Sequence, residues 1–172
     1  MSERFATLLR DYEGVIIRAW VDEVYAERRT ELAARLSFEQ LVGHMPELLE
    51  ELARLLASGA TDAEIRETSR RLRAFSQVRF YQGLLMDEVA RELMLFRQVI
   101  TDFLWREGSS ARQGTLAELR DALRCANRFA DEMIEQVIVI YAASLRPPVE
   151  TRTSIWPPPR RRRTDFPELD GR

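Results

Sequence analysis

The chain contains one histidine, His44, and one cysteine, Cys125, which are the side chains best suited to nucleophilic catalysis or metal binding. A Ser-His or Cys-His pair would have to use His44, and so would a haem iron held by a proximal histidine. His44 stands two residues before Pro46 in LVGHMPELL, so we interpret it as a histidine on a helix surface or at a helix break. One histidine and one cysteine do not build a soft-metal site. We therefore predict neither a metal nor a cofactor.

Other patterns that are typical of enzymes do not occur in the sequence. No GxGxxG or GxxxxGK[ST] loop is present to hold a nucleotide phosphate. Carboxylates are plentiful, but the acids within 47–51 and 131–135 stand beside arginines, as on exposed helix faces. Cys125 precedes the apolar position Ala126, so we interpret it as a small, partly buried side chain. The sequence predicts a protein that is not an enzyme.

One stretch, RFYQGLLMDEVARELMLFRQVI at residues 79–100, sets charged residues beside an apolar stripe. Gly83 interrupts its helical period, and we expect this glycine to form a turn. The stems of Glu92 and Arg97 are expected to cover the core while their charged ends stay in water, or to pair with a neighbouring helix. Arg79 could pair with an acid across the turn. For a small anionic ligand, Arg79 and Arg97 are the first candidates.

The elements that position these residues belong to a chain with the composition of one globular domain. Its 172 residues are 45% hydrophobic and 31% charged, with a net charge of −2. The N-terminus lacks the apolar centre of an export signal, and the uncharged run at 136–145 is about half of a membrane span. Since a single cysteine forms no internal disulfide, we expect a reducing, cytoplasmic setting.

Capping boxes and glycines divide the chain into five predicted helices, and no stretch alternates long enough to indicate a strand. Pro46 lies inside the second helix and should kink or divide it. The prediction is an all-α fold, a single five-helix bundle over residues 3–29, 38–57, 62–81, 85–107 and 115–145. The capping boxes join Ser37 to Gln40, Thr61 to Glu64 and Thr115 to Glu118, and the breaks contain Gly59, Gly83, Gly108 and Gly114.

The last predicted helix, residues 115–145, is apolar on two sides. Its apolar residues step by three and four over four heptads, and a second stripe follows its second half. A helix of this kind needs two partners. Either it is central to the bundle and surrounded by its neighbours, or one side contacts a second copy of the chain; we predict a homodimer. The predicted interface residues are Met133, Ile134, Val137, Ile138, Ile140, Tyr141 and Leu145.

The composition changes at Arg146, because six of the seven prolines lie beyond it and seven arginines there face four acids. We predict a helical sensor or interaction domain over residues 1–145 and a disordered, Pro/Arg-rich tail over residues 146–172. As an alternative function, the chain is an adaptor whose basic tail docks on nucleic acid or on an anionic membrane surface. The residues predicted to contact such a polyanion are Arg160, Arg161, Arg162 and Arg163.

Spaced single residues between about 10 and 107 carry a resemblance to a known family. They comprise a tryptophan late in the first helix, a Leu-Ser and His-x-Pro helix, an Arg-x-x-x-Gly turn and an acidic helix with Phe-Arg. In this chain they are Trp20, Leu36, Ser37, His44, Pro46, Arg79, Gly83, Glu92, Phe96 and Arg97. This pattern resembles the N-terminal domain of the RsbT co-antagonist RsbRD proteins, which also precedes some bacterial histidine kinases.

The resemblance implies an input domain of a bacterial stress-response or two-component signalling system. Related input domains look like globins without haem, form dimers, and pass a signal from the last helix to an attached output domain. Here only the Pro/Arg tail follows residue 145. We therefore expect a detached sensor, or one whose output partner is a separate protein such as a regulatory kinase or an anti-sigma factor.

Overall fold

The computed structural model describes residues 3–110 and 115–145, and nine helices with no strand lie within these two ranges. The predicted all-α class is confirmed. None of the described helices combines the length and the apolar character that crossing a membrane requires. The helices are α1 (Glu3–Asp11), α2 (Glu13–Ala26), α3 (Leu32–Arg35), α4 (Phe38–Val42), α5 (Met45–Ser58), α6 (Asp62–Arg71), α7 (Ala74–Tyr81), α8 (Met86–Ser110) and α9 (Leu116–Leu145).

The two longest helices, α8 and α9, form the most extensive helix pair of the fold. They run antiparallel, since Tyr141 near the end of α9 reaches Leu84 just before α8, while Asp131 pairs with Arg97 further along. The remaining helices pack around this pair: α6 on one side of α9, α2 on α8, and α1 against α5. The core that results is continuous from α1 to α9.

The second predicted helix is divided, as Pro46 predicts. The first part, α4, ends at Val42, and the second part, α5, begins at Met45 with Pro46 in its first turn. The backbone N–H groups of a first turn have no acceptor within the helix, so the missing N–H of proline costs no hydrogen bond there. The three predicted capping boxes are also confirmed, with backbone-to-side-chain hydrogen bonds of 2.7–3.3 Å in both directions. Local sequence therefore sets these helix starts.

The prediction of five unbroken helices is wrong in two further places. The first helix is interrupted at Tyr12 and ends at Ala26 rather than at residue 29, because the Glu27 carboxylate accepts a hydrogen bond from the backbone of Arg29 and turns the chain. The third is interrupted between α6 and α7, where no glycine or proline marks the bend. Leu72 and Phe75 are buried on either side of this bend, so packing decides its position.

Gly108 was predicted to lie in a break, but it lies within α8, which continues to Ser110. A Cβ atom built at this position would come within 2.6 Å of Leu119 Cδ1 and 3.1 Å of the Phe5 ring. The missing side chain therefore allows α1 and α9 to approach α8 closely, which is a role of glycine other than turning the chain.

Gly83 does form the predicted turn. It follows α7 with φ of +78°, and the N–H of Leu84 donates to the carbonyl of Arg79 at 3.2 Å, as in a Schellman motif. An added Cβ would meet no atom within 4 Å, so the backbone conformation alone demands glycine.

We expect Gly83→Ala to lower the free energy of unfolding by about 1 kcal/mol, because alanine is strained at positive φ. Gly14→Ala is the matched control: Gly14 is helical and exposed, also with open space at its Cβ, so alanine should raise stability by about 0.5–1 kcal/mol. Urea denaturation of both variants measures the two effects. Changes of the same sign would contradict the assigned conformations.

Candidate functional site

A buried ion pair joins α7 to α8 at the centre of the molecule. Arg79 Nη2 lies 2.6 Å from Glu92 Oε1, and Arg79 Nε lies 3.0 Å from Glu92 Oε2, so the guanidinium holds the carboxylate through two parallel hydrogen bonds. The Arg79 and Glu92 side chains are 0% and 1% exposed. The two helices are therefore connected by charges that have no access to water.

The remaining N–H groups of Arg79 bind the backbone and side chains around it. Nη1 donates to the Gln40 carbonyl at 2.8 Å and to Gln82 Oε1 at 3.0 Å, and Nη2 donates to the Leu41 carbonyl at 3.0 Å. All five donors of the guanidinium are thus in use. Arg79 fastens the end of α4 to α7 and α8, and it has no donor left for an anionic ligand.

Two further contacts surround this ion pair. The ring of Phe75 lies 5.2 Å from the guanidinium carbon of Arg79, and His44 meets the same ring edge-on at 5.7 Å. Burial, and then the charge of Arg79, lower the pKa of His44, while Glu47 raises it. His44 is therefore neutral at pH 7 and packs on an aromatic ring.

Burial raises the pKa of Glu92, and the charge and hydrogen bonds of Arg79 oppose that effect. The indole N–H of Trp20 donates to the Glu92 carbonyl at 3.4 Å, so α2 also contacts this position. The hydroxyl of Tyr141 donates to the Leu84 carbonyl at 2.8 Å, and its ring packs edge-on against Phe80. The end of α9 is thereby attached to the turn that follows Arg79.

The charged end of Glu92 does not stay in water; it pairs with Arg79 on the neighbouring helix α7, which is the other of the two expected outcomes. Leu95, Val99 and Phe103 follow Glu92 at steps of three and four, and all three are buried against the rest of the fold. Glu92 therefore lies between two apolar stripes of α8. This second stripe is visible in the sequence and is the signal by which its burial could have been found.

Arg97 lies apart from the buried pair. Its Nη1 is 2.8 Å from Asp131 on α9, and both side chains are at least one-third exposed. Arg97 thus pairs with a neighbouring helix, which is one of the two expected outcomes. The structure does not bring Arg79 and Arg97 together, and each already has a carboxylate partner.

The predicted interface residues of the last helix divide into two groups. Met133, Val137 and Tyr141 are buried in the domain's own core, so their assignment to an interface is wrong. The heptad stripe, which contains Met133 and Val137, faces inward because α6, α7 and α8 cover it, and Tyr141 of the second stripe is buried as well. Of the remaining residues, Ile134 and Ile140 are half-buried and pack against the core, whereas Ile138 and Leu145 are exposed on the outer side of α9.

The burial of Glu132 also escaped the sequence analysis. Glu132 was grouped with exposed carboxylates, but its side chain is 2% exposed and lies 2.7 Å from Arg128 and 3.6 Å from Arg66. Both arginines approach it from the side of α9 that faces α6. Arg160, Arg161, Arg162 and Arg163, with the rest of the predicted tail, lie outside the described residues.

The family model described as the RsbT co-antagonist protein rsbRD N-terminal domain matches residues 14–152. This chain belongs to that family. Neither a curated protein nor a solved structure matches it. Membership makes the protein a regulatory domain of stress-response signalling, and the RsbRD N-terminal family is non-catalytic.

Several of the residues that carry the resemblance to the RsbRD N-terminal family meet at the buried ion pair, whereas Arg97 lies apart from it. Arg79 and Glu92 form it, Trp20 and His44 contact it through Glu92 and Phe75, and Gly83 shapes the turn that follows Arg79. Ser37 caps the helix whose end Arg79 binds. In this RsbRD N-terminal domain the pattern therefore describes a structural centre, to which the last helix is tied through Tyr141.

Proposed function

We propose that this RsbRD N-terminal domain is a non-enzymatic sensor that acts through dimerisation and through protein contacts of its last helix. The observation that supports this function is the apolar outer side of α9. Ile138 is 50% exposed and Leu145 is 73% exposed, although the inner side of the same helix is covered by α6, α7 and α8. Apolar side chains left in water along one helix face are typical of protein interaction sites.

The antiparallel register of α8 and α9 extends this surface onto α8. The Arg97–Asp131 ion pair shows which residues of the antiparallel helices α8 and α9 lie opposite each other. Three residues from this pair, Met94 on α8 therefore lies opposite Ile134 on α9. Met94 is also partly exposed. We define the α8–α9 face as Met94, Ile134, Ile138 and Leu145. A second copy of the chain that packs on this face would form a four-helix arrangement from two such pairs.

The buried ion pair gives this face a physical connection to the rest of the domain. Arg79 fixes α4, α7 and α8 relative to one another, and the hydroxyl of Tyr141 binds the carbonyl directly after Gly83. A shift of α9 in a dimer or against an output protein therefore pulls on the turn that holds Arg79. This arrangement supports signal transfer through the last helix.

The test is the molar mass of the native chain by size-exclusion chromatography with light scattering at micromolar concentration. We expect twice the 20.1 kDa mass of one chain, and the single-chain mass for Ile138→Glu, because a charge on the α8–α9 face would be buried without a partner in the dimer. Val15→Glu is the matched control, since Val15 is about equally exposed but lies on α2. It should remain dimeric.

A native chain that is monomeric at this concentration would remove dimerisation from the proposal. If Ile138→Glu and Val15→Glu both remain dimeric, the interface lies elsewhere on the surface. If both become monomeric, the effect is due to added charge and not to the α8–α9 face.

A further inference from the structure

The helix α6 contributes few apolar side chains to the core. Its buried residues are Ile65, Thr68 and Ser69, so Ile65 is the one apolar anchor among its ten residues. The preceding helix α5 has 14 residues and is anchored by a row of buried leucines with Met45 and Ala53. Since most of the stability of a helix in a protein comes from packing its apolar face, α6 is held more weakly than its neighbour.

The buried polar side chains of α6 bind within α6 itself. The Ser69 hydroxyl donates to the Ile65 carbonyl at 3.0 Å, and the Thr68 hydroxyl accepts a hydrogen bond from Arg71 at 3.1 Å. These hydrogen bonds would survive if α6 moved as a unit. They therefore stabilise the helix without attaching it to α9, on which it packs.

The ion pairs that reach from α6 to α9 are too long to be hydrogen bonds. Arg66 lies 3.6 Å from Glu132, and Asp62 lies 4.0 Å from Arg124. Asp62 and Arg124 are both largely exposed, so their pair adds little stability. Glu132 is 2% exposed, and its Oε2 has no hydrogen-bond partner in the protein. A buried oxygen without a partner is unfavourable, so it weakens the contact between α6 and α9.

A cleft of about 610 Å³ lies between the beginning of α6 and the first half of α9. Ala63 and Ile65 line it on α6, and Ala122 and Cys125 line it on α9. Close packing normally fills the space between two helices, and the dispersion contacts are lost where it does not. The helix α6 is therefore incompletely packed on α9 as well as weakly bonded to it.

The chain on either side of α6 is held in place. Gly59 ends α5 with φ of +66°, a turn that glycine adopts without strain. After α6 the chain bends at Leu72, which is buried, and the Arg79–Glu92 pair holds the helix α7 that follows. These two turns allow α6 to move while α5 and α7 stay where they are.

We propose that α6 opens away from α9 as a local unit while the rest of the domain stays folded. The closed state is the one described above, and in the open state the Glu132 carboxylate enters water. Opening removes a support from a side of α9 other than the α8–α9 face, so it gives the sensor a second conformation. This device goes beyond the proposed dimer, because α6 needs no second copy of the chain in order to open.

Hydrogen–deuterium exchange of the full native chain, followed by mass spectrometry, tests the opening. Relative to their intrinsic rates, the amides of α6 should exchange about tenfold or more faster than those of α5 and α8, since local opening needs less free energy than global unfolding. Ile65→Ala should speed exchange in α6 by a further tenfold or more, by about the effect of removing a buried anchor. Ile16→Ala is the matched control, since Ile16 is about equally buried but lies on α2; it should leave exchange in α6 nearly unchanged.

Thr68→Val tests the proposal in the opposite direction. A methyl group in place of the buried hydroxyl should slow exchange in α6 about threefold, because it adds apolar surface to the contact with α9. Thr7→Val, at an exposed position of α1, should have no effect on α6. Circular dichroism shows whether each variant is folded.

Equal protection of α6, α5 and α8 would refute the local opening. The same conclusion would follow if Ile65→Ala and Ile16→Ala sped exchange in α6 equally, because global unfolding would then be the route. If Ile65→Ala does not fold, Thr68→Val decides: slower exchange in α6 supports the opening, and unchanged exchange overturns it. Ile138→Glu should exchange in α6 like the native chain, so failure of the opening and failure of dimerisation are separate results.

Discussion

Arg79→Met is expected to lower the free energy of unfolding by about 3–5 kcal/mol, because it leaves the Glu92 carboxylate buried without a partner. The carboxylate loses two hydrogen bonds from the guanidinium, and the carbonyls of Gln40 and Leu41 lose theirs as well. No solvent reaches this position to replace them. A loss of this size is a large part of the total stability of a domain of this length.

A double-mutant cycle separates the lone charge from the loss of packing. Glu92→Met alone leaves a buried guanidinium, whereas the Arg79→Met, Glu92→Met double variant removes both charges and should be more stable than either single variant. Urea denaturation followed by circular dichroism gives the three values. Arg97→Met is the control, since its pair with Asp131 is partly exposed and should contribute less than about 1 kcal/mol.

Additive losses in this cycle would contradict the account of a coupled, buried pair. A loss below about 1 kcal/mol for Arg79→Met would show that protonation neutralises Glu92, or that water enters the centre and solvates it, so that no unpaired charge is buried.

Features of the fold that depend on local chemistry were predictable from the sequence. The capping boxes at Ser37, Thr61 and Thr115 satisfy backbone groups within four residues, and Pro46 divides a helix because of its own ring. Gly83 turns the chain as expected. These devices act wherever the sequence places them, so distant residues do not alter their effect.

Features that depend on which helices meet were not predictable in the same way. Glu92 is a charged residue beside an apolar stripe of α8. The periodicity of a single helix does not tell whether another helix covers the side of α8 on which Glu92 lies. The interrupted helix between α6 and α7 and the close approach at Gly108 depend on the same tertiary information. The sequence indicated that Arg79 could pair with an acid across the turn at Gly83, and the structure identifies that acid as Glu92.

The last helix shows the same limit, because its sequence contains two apolar stripes and does not tell which of them faces the core. Periodicity found both of them, but their directions come from the packing of α6, α7 and α8 against α9. Val137 is fully buried within the domain, whereas its neighbour Ile138 is half exposed on the α8–α9 face. A glutamate at these adjacent positions therefore tests the orientation of the whole helix.

We expect Val137→Glu to lower the free energy of unfolding by about 4 kcal/mol or more, because it places an unpaired carboxylate in the core. The monomeric Ile138→Glu chain should be as stable as the native monomer within about 0.5 kcal/mol, since its carboxylate stays in water. Urea denaturation at several protein concentrations measures both, and the dependence on concentration separates folding from association.

If Val137→Glu remained folded and only became monomeric, α9 would present its heptad stripe to the partner and its outer stripe to the core. If both variants unfolded, the two stripes would both be internal and α9 would be central to the bundle, leaving no apolar side for another molecule. Only a folded Ile138→Glu with an unfolded Val137→Glu agrees with a helix that stabilises its own domain on one side and contacts a partner on the other.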